Sequence, residues 1–111
     1  MSEMIRQFLP ELKKYHGVYV APPTYEGTCA FLSGYELGSG QNFLKQFHIW
    51  LAARKNGRVE LFWPFLVLCE VYRDDALPDM RYLTPEQDGE MVSLLFRLLE
   101  EFFNGENDPG A

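Results

Sequence analysis

The chain lacks the features that would mark a membrane, a disulfide scaffold or a ready-made catalytic centre. Its longest uninterrupted apolar run, Leu61 to Cys69, is nine residues and contains Pro64. A membrane span needs ~18 such residues, so none is expected. Cysteine is scarce: Cys29 and Cys69 stand forty positions apart in apolar surroundings, the pattern of buried free thiols and not of a disulfide framework or a CxxC site. Histidine is as scarce, and His16 and His48 share no metal-ligand spacing with each other or with the cysteines, so structural roles and no metal or cofactor are expected. The glycine-rich stretch Gly34 to Gly40 is followed by no GK[ST] and preceded by no convincing strand, which removes a phosphate loop. No nucleophile elbow or cysteine-protease signature surrounds Ser33 or Cys29, so the chain is not expected to be an enzyme. The first residues carry Glu3 early and no basic segment followed by an apolar one, so a secretory signal is not expected and the cytoplasm is the expected compartment.

Apolar residues are plentiful, at 47% of 111 residues with 15% aromatic, enough to offset the entropy of ordering one domain and too few residues for two cores. A single globular domain over residues 1–104 is expected, followed by a flexible acidic tail over 105–111. The net charge of -6 is unevenly spread. Residues 1–59 hold seven basic and four acidic groups, whereas residues 60–111 hold three basic against twelve acidic. Phosphate neutralisation supplies most nucleic-acid affinity, so this balance argues against a nucleic acid as partner.

Apolar spacing predicts a mainly α fold, a compact bundle of about four to five helices with at most one short strand pair. Ile5, Phe8, Leu9, Leu12 and Tyr15 recur at helical spacing over 3–16, with Pro10 expected to kink or restart that helix. Val18 to Pro23 reads as an extended connection. A short helix is expected over 28–37, closed by the glycines, and a longer one over 41–55, capped by Ser39 or Gly40 and ended by Asn56-Gly57. Residues 59–72 are apolar almost throughout, and periodicity does not separate strand from helix there; Pro64 favours a helix from Pro64 to about Tyr72. After a loop from Asp74 to Leu83, Thr84-Pro85-Glu86-Gln87 is a capping box with proline at the first helical position. The helix it opens should reach about Phe103, apolar around most of its circumference, with Ser93, Arg97, Glu100 and Asn104 as a narrow wet stripe.

The order of features in residues 34–71 carries a resemblance. Gly34-Tyr35, a glycine turn, then FLKQFHIWL, a polar break and LFWPFLVLCEV resemble small bacterial proteins that are similar to the immunity proteins of polymorphic and contact-dependent growth inhibition toxin systems. The matching residues, Gly34, Phe43, Leu44, Phe47, Trp50, Leu51, Trp63, Pro64 and Leu68, are aromatic and structural, and the resemblance transfers no catalytic residue. It implies a binding protein whose partner is a cognate toxin domain, with a basic nuclease as the expected type; a monomer or weak dimer is expected. An acidic inhibitor would be steered onto a basic cleft. The expected contacts are Asp74, Asp75, Asp79, Glu86, Asp88 and Glu90, with Tyr72 or Tyr82 as an apolar anchor. Two other readings stay open: an acidic DNA mimic that inhibits a host nuclease, and a small ligand-binding module with a pocket between the helices.

Overall fold

The computed structural model describes residues 3–106. Its described elements are α1 (Glu3–Lys14), α2 (His16–Tyr19), α3 (Tyr25–Ser39), α4 (Phe43–Ala53), α5 (Trp63–Leu68), two short 3-10 turns at Asp74–Ala76 and Met80–Tyr82, and α6 (Pro85–Glu106). The fold is mainly α, as the spacing predicts, and the strand pair does not form among the described residues. The principal extents are 37 × 36 × 21 Å. A thickness of 21 Å corresponds to two layers of helices of ~10 Å diameter.

α1 buries Ile5, Leu9 and Leu12, and it passes through Pro10 without restarting. A proline forfeits one backbone bond, to the carbonyl four residues earlier, and here buried residues on both sides of it pin the same helix axis. The restart falls at Tyr15, and α2 takes up Val18 and Tyr19, so the extended connection shrinks to Val20 through Thr24. His16 packs edge-on against Phe96 with ring centroids 5.6 Å apart. The Thr28 hydroxyl donates its proton to the Thr24 carbonyl at 2.6 Å, so it accepts from His16 Nε2 at 2.7 Å. Burial lowers the His16 pKa from its ordinary 6.5. The unfolded chain therefore takes up this proton first, and the contribution of neutral His16 is complete above about pH 6.5 and falls as the pH drops below it. Denaturant titrations between pH 7 and pH 5 are expected to lose stability less steeply in His16→Gln than in the parent; parallel slopes would exclude this origin.

α3 is longer than the sequence suggests, because Thr24 caps it: its hydroxyl oxygen accepts from Gly27 N at 3.0 Å. Gly34 and Gly38 lie inside the helix, and only Gly40, at φ 71°, closes it in the left-handed region. Neither Ser39 nor Gly40 caps α4. That role falls to Glu36, whose carboxylate on α3 accepts from Leu44 N at 2.6 Å across the turn. α4 ends before Asn56 (φ 59°) and Gly57 (φ 76°), as expected from that pair.

Residues 59–72 hold one short helix, α5, with Pro64 in its first turn and hydrogen-bonded turns continuing it to Tyr72. The capping box forms in both directions: Thr84 N donates to Gln87 Oε1 at 2.9 Å and Gln87 N to Thr84 Oγ1 at 3.1 Å. α6 is packed on two sides, with Met91, Leu95, Leu98 and Leu99 fully buried and Ser93, Arg97, Glu100 and Asn104 exposed. It continues to Glu106, so Gly105 and Glu106 belong to the helix and not to a tail; residues 107–111 lie outside the described residues.

One apolar cluster joins the helices. Phe47 of α4 stands at its centre, with ring centroids 5.9 Å from Trp50, 5.9 Å from Trp63 and 5.5 Å from Phe102. Tyr25, fully buried, donates its hydroxyl to the Pro64 carbonyl at 2.6 Å, while its backbone N donates to Asp88 Oδ1 at 2.8 Å. The start of α3 is thereby tied to α5 and to the first turn of α6.

Candidate partner-binding surface

The residues that the sequence nominates for partner contact do not form one acidic face. Asp74 is ion-paired with Arg58, Asp75 with Arg73 at 3.2 Å, and Asp79 with Arg81 at 2.8 Å. Side-chain and backbone hydrogen bonds from Arg81 hold the Asp79 carboxyl at a pKa of about 2. Each of these carboxylates thus has an arginine beside it, and Asp74 shares its arginine with Glu60. Asp88 is half-buried and spent on Tyr25 N, a structural contact. Glu86 and Glu90 are exposed on the first turns of α6.

The two aromatics also part company. Tyr72 is half-buried against the core, whereas Tyr82 is 77% exposed, with the Arg81 guanidinium 5.4 Å from its ring centroid. Four of the nominated residues line three separate depressions: Tyr72 and Asp74 a cleft next to Lys55, Asp79 a groove under α3, and Glu90 a shallow hollow with Arg97.

The cleft next to Lys55 is a latch. Glu70 accepts from Arg54 at 2.9 Å and lies 3.5 Å from Lys55 Nζ, and the Arg54 hydrogen bond lowers its pKa. This ties the end of α4 to the turn after α5, and Arg54 lies 5.0 Å from the Trp50 ring centroid on its other side. The groove under α3 has a different build. Phe65, 37% exposed, lines it with Leu77, Pro78 and Met80, and Glu26, Asp79 and Arg81 complete the lining of a volume of about 550 Å³. Apolar side chains beside charged ones are the mixture found at protein interfaces. The sequence signal for this groove was present but faint: Leu77 and Met80 are apolar residues in an otherwise polar loop, and Phe65 is the residue of the buried run Trp63 to Leu68 that faces outward. Nothing in the chain's order places Glu26 beside them, since the Tyr25 contacts do that in three dimensions.

Among the described residues, no group of three or more His, Cys, Asp or Glu is placed to hold a metal ion. The buried Cys29 thiol is pushed up to about 12 by burial, which keeps it in the protonated, unreactive form at neutral pH. No described helix is long and apolar enough to cross a membrane. No family model, curated protein or solved structure matches this chain.

Proposed function

We propose that the protein is an immunity-type binding protein that acts in the cytoplasm and neutralises a cognate bacterial toxin domain by docking it on the groove under α3. The observation that carries this reading is a groove lined by the exposed Phe65 and the half-buried Leu77 and Met80 together with Glu26, Asp79 and Arg81. Apolar side chains of such a site supply most of the affinity, and the charged ones select the partner. The net charge of -6 adds long-range steering toward a basic partner, and Glu86 and Glu90 supply exposed carboxylates that the arginines of the loop do not compensate.

The test is affinity capture of the product of the adjacent reading frame, followed by calorimetry on single variants. Phe65→Ala and Met80→Ala are expected to weaken binding at least about tenfold, measured below each variant's own unfolding midpoint because both side chains are partly buried. Asp74→Asn and Asp75→Asn, outside the groove, should leave affinity within about twofold. Binding that ignores Phe65 and Met80 but weakens on loss of Asp74 and Asp75 would move the site to the opposite flank of the loop, and absence of any captured toxin would end the reading.

A further inference from the structure

We draw no further inference here: the strongest candidate, the partly exposed aromatic face on which Phe8 of α1 meets the rings of Tyr19 of α2 and of Phe31 and Tyr35 of α3, is an unpartnered surface, and nothing in the structure shows what covers it.

Discussion

Truncation of Phe47 to alanine is expected to lower the free energy of unfolding by about 3–5 kcal/mol, the range for a fully buried aromatic whose cavity does not collapse. Phe47 has no exposed surface, and its ring meets Trp50 on its own helix, Trp63 of α5 and Phe102 of α6. No neighbour can fill the space without abandoning another of these contacts, because the rings also touch one another: Trp50 lies 5.7 Å from Phe102. A domain of this size is stable by only about 5–15 kcal/mol, so the variant should sit near its unfolding threshold. Urea denaturation followed by tryptophan fluorescence reads this directly, since Trp50 and Trp63 flank the site. A loss below about 1 kcal/mol would mean that the α4, α5 and α6 contact is not the centre of the core.

Tyr25→Phe is the second large expected effect, on stability and, under the proposed function, on partner affinity. The substitution keeps the ring and deletes only the hydroxyl that donates to Pro64 O at 2.6 Å in a fully buried position. Leaving a buried acceptor without its donor costs about 1–3 kcal/mol, which for a domain of about this length lowers the melting temperature by roughly 4–8 °C per kcal/mol. The hydroxyl fixes the start of α3 against α5, and these elements carry Glu26 and Phe65 on the walls of the groove. Under the proposed function Tyr25 is therefore a positioning residue. Partner affinity in Tyr25→Phe should fall more than in Thr84→Ala, which loosens a cap at the surface instead of the groove wall. Equal affinity losses in the two variants would show that the groove does not depend on this contact.

Much of the architecture was legible because local rules and tertiary packing agree. The Thr84 and Gln87 box, the Asn56-Gly57 stop and Pro64 in the first turn of α5 act within a few residues, and each stands where the sequence puts it. The wet stripe of α6 follows from periodicity alone. Where the reading departs from the structure, a distant residue intervenes. Pro10 does not break α1 because Ile5 and Leu12, anchored in the core, hold the helix through it. Gly34 and Gly38 do not end α3 because Thr24 starts it earlier and Glu36 binds α4 across its end.

The candidate site was less legible for the same reason. Counting carboxylates identified the acidic half of the chain but not which carboxylates are spent. Arg73 and Arg81 sit two residues from the aspartates they bind, so those pairs were visible in principle. Arg58 with Asp74 and Asp88 with Tyr25 pair across the fold.

By itself, the sequence determined a mainly helical chain with three helix boundaries, a large store of apolar and aromatic residues and an excess of negative charge in its second half, because spacing, capping and composition are properties of neighbours along the chain. Only the tertiary structure decided which charges neutralise one another and which apolar residues stay open. Those outcomes depend on distances between residues far apart in sequence: Tyr25, bonded to Pro64 and to Asp88, holds the start of α3 where Glu26 and Phe65 line one groove.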